Sequence, residues 1–407
     1  MAAIDLKQSA LWRDAPPQEA LAWLRANEPV YWNPEADGPG FWAVTRHADI
    51  QRVSTDPATF SSARANGGHR IFEENDVANE AVETSMISMD PPEHLDYRRM
   101  LMPGFTPQRL RAMEAGVRAR AVRLIEAMQA KAARNSGAVD FVADFAAPYA
   151  IQTLAELFGV GEEDGDKLFQ WSNAIVAEED PDARPSPEWV HQMVMEMVAY
   201  SFALREARAA APGPDLISML ASASIDGQPI SPGKYLATFI LMVVAGNETT
   251  RNSLTGSLYA FEEFPQERAK LAADPSLLKS AAQEIVRWVS PVIHMRRTAT
   301  ADCEIGGQAV KKGDKVVLWY ASGNRDEAVF ADPFQFRAER YLDPATPKHV
   351  GFGTGQHVCL GQRLAELQIR VAWEELLARV PGIRATGPGA RVLSNFINGW
   401  KTAPAQV

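Results

Sequence analysis

Between Pro232 and Pro265 the chain runs without a proline, and the window opens on Ser231, a strong helix N-cap, with Pro232 in the first turn where a missing N–H costs nothing. A helix filling it is about 50 Å long at 1.5 Å rise per residue, enough to cross a molecule of this size. From Tyr235 to Ala245 it is apolar on every face. Such a segment must be buried on all sides, so the rest of the chain has to wrap around it.

A second helix is expected from about Leu360 to Val380, with Leu360, Leu364, Leu367 and Val371 at helical spacing and Pro381-Gly382 as its stop. Phe41 to Thr45 and Ile305 to Trp319 read as strands and hairpins, turned at Gly306-Gly307 and at Lys312-Gly313-Asp314. Most of the remainder carries helical periodicity, which makes the protein mainly α with a minor β component near both ends. No repeat or long linker divides the 407 residues, a length that suits one large unit or two coupled lobes.

The other sequence-wide features mainly exclude. No basic flank and apolar core mark a secretory signal at the start, and the longest apolar stretch, Leu236 to Gly246, is far short of the roughly 20 residues of a membrane span. The expectation is a cytoplasmic protein without a membrane anchor. Only Cys303 and Cys359 are present, too few for a disulfide framework. A net charge of −10 argues against nucleic acid as a partner. Against that background, His94 to Arg123 holds seven arginines (Arg98, Arg99, Arg109, Arg111, Arg118, Arg120 and Arg123) and two acids, Asp96 and Glu114. This is either a docking patch for an acidic partner or an ordinary solvated helix face.

Cys359 sits in Phe352-Gly-Thr-Gly-Gln-His-Val-Cys-Leu-Gly361, immediately before the second helix. A cysteine at a helix start meets free N–H groups and the positive end of the dipole, which favour the thiolate. Gly353, Gly355 and Gly361 would let the backbone approach a flat ligand. Judged on these residues alone, a small buried cysteine beside a turn is an equal reading.

The string resembles the haem-binding loop of cytochromes P450, matched at Phe352, Gly355, His357, Cys359 and Gly361. The resemblance implies a single P450 domain over 1–407, a helix-rich lobe with a smaller β-containing lobe, and haem b held between the long central helix and the cysteine-loop helix. It implies a monooxygenase, with Cys359 as the iron ligand and Phe352 and Gly361 beside the porphyrin. Other landmarks follow in order. Ala245-Gly-Asn-Glu-Thr-Thr250 is similar to the oxygen-activation segment, in which Ala245 lies against the haem and Glu248 and Thr249 relay protons to bound O2. Many members have aspartate where this chain has the longer Glu248. Gly246 would make room for oxygen and water. Apart from the resemblance, Glu248-Thr249 is a polar turn of a buried helix.

Glu284 and Arg287, three apart on one helix, with Arg340 further on, resemble the Glu-Arg-Arg brace of the family and are assigned to architecture. His94 and Arg98, Arg297, and His357 match the partners of the two haem propionates. The family's substrate-contact segments fall on Leu241, Val244 and Ala245, on Ile293 and Met295, and on Phe396 and Ile397, all apolar, which implies a terpenoid, steroid, lipid-like or aromatic substrate. Met193, Met195 and Met197 read as a methionine-rich core helix in preference to a mobile lid. With no flavin fingerprint and no cysteine cluster, the two electrons are expected from a ferredoxin and its reductase, docked on the Arg98–Arg123 face and Arg363. The intact Glu248-Thr249 pair speaks against a peroxide-driven variant of the same chemistry.

Overall fold

A computed structural model describes residues 4–71, 85–176, 180–182 and 184–407. Its axis is the helix Pro232–Glu263, 32 residues long, with Ser231 Oγ accepting from Lys234 N at 3.0 Å as the N-cap. This central helix is packed on by the helices Ala147–Phe158, Gly165–Val176, Leu278–Val289 and Gln362–Arg379. Its apolar half is buried at Tyr235, Leu236, Phe239, Met242 and Val243, while Ala245 is exposed to an internal cavity. The expected enclosure therefore holds except where space is left for a ligand.

The main sheet has five strands, Val30–Asn33, Phe41–Val44, Lys315–Trp319, His294–Ala299 and Phe60–Ser61, in that order. Phe41–Val44 pairs parallel with Lys315–Trp319, so strands from opposite ends of the chain close on each other. The hairpin Cys303–Ile305 with Gln308–Val310 precedes the third strand, as the turn glycines predict. A smaller sheet joins Ala138–Asp140, Pro404–Gln406 and Arg384–Ala385. On the helix Pro187–Ala210, Met193 and Met197 are buried one turn apart, while Met195, on the opposite face, is exposed.

The helix Gln362–Arg379 begins three residues after Cys359, and its Leu364, Leu367 and Val371 are buried as their spacing predicts. The segment leading into the loop before it is tied to a buried ion network through Asn324, whose Oδ1 accepts from Val350 N at 2.7 Å. Glu284 Oε2 and Oε1 accept from Arg287 Nε and Nη2 at 2.7 Å each, and Arg340 Nε reaches the two oxygens at 3.0 and 3.1 Å. Arg287 Nη1 and Arg340 Nη1 then donate to the carbonyls of Asn324 and Ala331. All three side chains are buried, and the pairing satisfies nearly every donor, as an ion network needs where water cannot reach it.

Candidate active site

A cavity of about 250 Å³ lies between the central helix, the cysteine loop and the strand His294–Ala299. The cysteine loop reaches it through a tight turn. Cys359 N donates to Phe352 O at 2.8 Å, and Gly355 has a φ of +69° with room for no side chain, since a Cβ there would stand 2.2 Å from Ser54 O. Gly355 is thus required by its neighbouring backbone, and Gly361, where a Cβ would have ordinary contacts, is not forced by sterics. Cys359 is exposed to the cavity, with protein around the cavity wall. Burial pushes its thiol up, while the N–H groups of Gly361 and Gln362 and the Arg98 guanidinium pull it down. The helix-start groups that favour a thiolate are in place, but by themselves they do not outweigh burial.

Four basic side chains line the same cavity without an acid among them: His94, Arg98, Arg297 and His357. The His94 and His357 rings lie 4.1 Å apart. Among the described residues His94 Nδ1 and His357 Nε2 are buried with no hydrogen-bond partner, and Arg98 Nη1 and Arg297 Nη1 donate to the carbonyls of Val358 and Arg296, at 2.7 Å each. Burial first, and then Arg297, His94, His69 and Arg98, push His357 down to about 2; burial with Arg98 and Arg297 lowers His94. A cluster of this kind is a cradle waiting for anionic oxygens, and beside a cysteine sulfur open to the same space it fits a haem with two propionates.

The central helix presents two stripes. Leu241, Ala245 and Thr249, four apart, face the cavity, and Met242, Gly246, Thr250 and Ser253 line it beside them. Val244 and Glu248 lie on the other side. Glu248 is buried away from the cavity in an ion pair between its Oε2 and Arg251 Nη2, and Asn247 Nδ2 approaches its other oxygen at 3.4 Å. Thr249 Oγ1 donates to Ala245 O at 3.0 Å. The expected partners Glu248 and Thr249 are therefore neighbours in sequence but not on one face. Gly246 lines the cavity, and a Cβ there would be 2.8 Å from Leu154 Cδ1, so the glycine leaves room for a side chain of the neighbouring helix.

Of the apolar positions expected to contact substrate, Leu241, Ala245 and Met295 line the cavity and Val244, Ile293, Phe396 and Ile397 do not. Ile293 is buried in a cluster with Trp12, Phe41 and Trp319. Phe396 packs between the His69 and His294 rings under Arg70, and Ile397 bridges to Val292. The chain passes from an isolated bridge at Val292 into a regular strand only at His294, so Val292 and Met295 share the cavity and strict alternation misleads. Met86, Ile87, Leu154, Leu157, Leu216 and Val292 also line it and were missed, being ordinary apolar residues in sequence.

The arginine patch is smaller than its sequence count. Arg98 faces the cavity; Arg99 pairs with Asp96 at 2.8 Å, Arg118 with Glu114, Glu374 and Glu375, Arg120 with Glu156 and Glu162, and Arg123 with Glu162 at 2.6 Å. Among the described residues Arg109, Arg111 and Arg363 are left without an ion-pair partner.

A helical protein with a cysteine loop opening on a cavity, opposite a long helix bearing a hydroxyl, has the architecture of a haem-thiolate oxygenase. The Cytochrome P450 family profile matches residues 65–380. The chain is 48% identical to a linalool 8-monooxygenase of Pseudomonas putida over 98% of its own length and 97% of that protein's. It is 40% identical to a methyl-branched lipid omega-hydroxylase of Mycobacterium tuberculosis over 95% and 90%. A Mycobacterium marinum cytochrome P450 in complex with pseudoionone superposes with a TM-score of 0.90 at 34% identity, over 99% of this chain and 98% of that one. The chain belongs to the cytochrome P450 family; its cofactor is haem b, and it is a monooxygenase of apolar substrates. Among the described residues, no helix is long and apolar enough to cross a membrane.

Proposed function

We propose that this chain, as one P450 domain over residues 1–407, hydroxylates a small apolar molecule of the terpenoid kind, with O2 and two electrons from a ferredoxin and its reductase in the cytoplasm. The observation that carries the substrate class is the wall formed by Met86, Ile87, Leu241, Met242, Val292 and Met295, all aliphatic or thioether and without a charge. Such a wall favours a flexible hydrocarbon skeleton over a polar or rigidly aromatic one. The similarity to a linalool 8-monooxygenase and to a P450 that binds pseudoionone supports the same class.

Cys359 Sγ would ligate the haem iron, His94, Arg98, Arg297 and His357 would hold the propionates, and Ala245, Phe352 and Gly361 would pack on the porphyrin, all of them lining the one cavity. Bound haem supplies the oxygen activation, one oxygen atom entering a substrate C–H bond and the other leaving as water. Thr249 Oγ1 hands on protons at the cavity, with the Glu248 carboxyl as their source. Arg109, Arg111 and Arg363 make the basic face that an acidic ferredoxin meets.

Titration of the haem-loaded protein with linalool, a methyl-branched fatty acid, a steroid and an aromatic hydrocarbon, following the ferric spin state, tests the substrate class. The terpenoid is expected to give the tightest high-spin shift, and a hydroxylated product once ferredoxin, reductase and NADH are added. A shift with the aromatic compound alone, or with none, overturns the proposal.

A further inference from the structure

The helix Gln362–Arg379 carries three acids, and two of them are answered by arginines. Glu374 pairs with Arg118 and, at 2.7 Å, with Arg370; Glu375 pairs with Arg118 and, at 2.9 Å, with Arg379. Glu366, the acid nearest Cys359 along the helix, forms no ion pair among the described residues. Arg370, four residues on where a helix partner belongs, turns to Glu114 at 2.8 Å and to Glu374 instead. The other cations that act on Glu366, Arg363 and Lys279, are exposed. What holds the half-buried carboxylate is an uncharged group: its Oε1 accepts from Gln362 Nε2 at 3.0 Å. Gln362 therefore stands between two anions, its backbone N–H acting on the Cys359 sulfur and its side-chain amide on Glu366. Burial raises the Cys359 thiol most, and the Glu366 charge raises it further, against the N–H groups and Arg98 that lower it. An acid left half-buried and unpaired beside a second anion costs stability, while the same helix pairs its other two.

We infer that Glu366 acts through Cys359 to set the potential at which the bound iron is reduced: a negative charge tethered by Gln362 that makes electron uptake harder. The inference rests on the ligation of the iron by Cys359 proposed above. The step concerned is the passage of one electron from the ferredoxin to the iron, with no bond made or broken. It leaves the bound group more negative by one charge, and a nearby anion opposes that the more, the less water screens the two. Arg98 and the positive end of the helix pull the other way, and Glu366 offsets them. The amide of Gln362 fixes the carboxylate in place without cancelling its charge, which an arginine at the same distance would do.

Glu366→Gln removes the charge and keeps the shape. Spectroelectrochemical titration of the haem-loaded, substrate-free variant is expected to give a midpoint potential more positive than that of the parent protein. The ratio of reduced to oxidised iron at a fixed potential should rise about tenfold, which is ~59 mV for one electron. Glu366→Asp keeps the charge and should stay close to the parent, and Glu374→Gln, at a paired acid of the same helix, should leave the potential where it is. Should Glu366→Gln load haem poorly, Glu366→Ala carries the same comparison. A potential that is unchanged or more negative in the neutral variant, or an equal shift in Glu366→Asp or Glu374→Gln, overturns the inference. A parent protein whose ferrous carbonyl spectrum lacks the thiolate signature instead overturns the ligation by Cys359, whatever the Glu366 variants do.

Discussion

The imidazoles of His94 and His357 meet at 4.1 Å across the cavity wall, one carried by the helix Glu93–Leu101 and the other by the cysteine loop. Neither ring has an acid beside it in the cavity, and Arg98 and Arg297 enclose them. The Arg98 and Arg297 guanidinium groups, brought together in this way, repel one another until an anion arrives, so the cluster contributes its binding energy only to the loaded state. Replacing Arg297 by Leu should weaken haem retention by about 10- to 150-fold, the worth of about 1.5–3 kcal/mol for a charged hydrogen bond. The rate of haem transfer to an apo-globin acceptor measures it; transfer no faster than from the parent protein removes Arg297 from the cradle.

Thr249→Ala takes away the hydroxyl that follows Leu241 and Ala245 on the cavity-facing stripe of the central helix. Product formed per electron consumed should drop by about tenfold, with hydrogen peroxide accounting for the difference and haem content unaltered. Quantifying product, peroxide and NADH in one assay decides the matter, and a tightly coupled variant excludes Thr249 from proton transfer.

Glu284 is completely buried under two arginines. Glu284→Gln leaves both guanidinium groups without their counter-charge, which should cost about 3–5 kcal/mol of stability. Chemical denaturation followed by tryptophan fluorescence gives the change. A loss under about 1 kcal/mol, the range of exposed ion pairs, contradicts a bracing role.

Burial pushes His294 and His349 down to about 3. In the unfolded chain a histidine titrates near pH 6.5, so between about 6.5 and 3 the unfolded state binds protons that the native state refuses. Their contribution is complete above about pH 6.5 and is lost as the pH falls, by up to ~1.4 kcal/mol per pH unit for each ring. The denaturation midpoint should decline between pH 7 and pH 5, and less steeply in His349→Gln. Equal slopes in the two proteins count against this assignment.

Charge reversal at Arg109 and Arg111 should slow reduction by ferredoxin and flatten its dependence on ionic strength, because among the described residues these cations have no ion-pair partner. Arg118→Ala, whose partners are Glu114, Glu374 and Glu375, should leave the salt dependence as it is. Stopped-flow reduction at several salt concentrations separates the two; identical behaviour of both variants refutes the docking face.

Much of the site is legible in the chain because its constraints are local. Ser231-Pro232 starts the central helix where the N-cap chemistry says it must, and the cysteine loop and the Glu284–Arg287 pair are short strings with fixed spacing, as are His94 and Arg98, which line the cavity with Arg297 and His357. The substrate positions were legible only in part. Leu241, Ala245 and Met295 reach the cavity, but Ile293 turns into the core beside Trp319, since the backbone before His294 does not follow strand alternation. Leu154 and Leu216 carry no mark distinguishing a cavity wall from any other buried leucine.

By itself, the order of residues determined a buried helix of 32 residues, a sulfur presented at the start of a second helix, and a mainly helical chain closed by a small sheet. Those follow from hydrogen-bond caps, apolar periodicity and glycine at Gly355, all set by neighbours within a few positions. The fold alone decided that Glu248 turns to Arg251 while Thr249 turns to the cavity, and that Arg118 is answered by Glu374 and Glu375 whereas Arg109 and Arg111 have no ion-pair partner among the described residues. A charge on a helix has no fixed worth until distant segments supply or withhold its partner, and that pairing exists only once the chain has closed on itself.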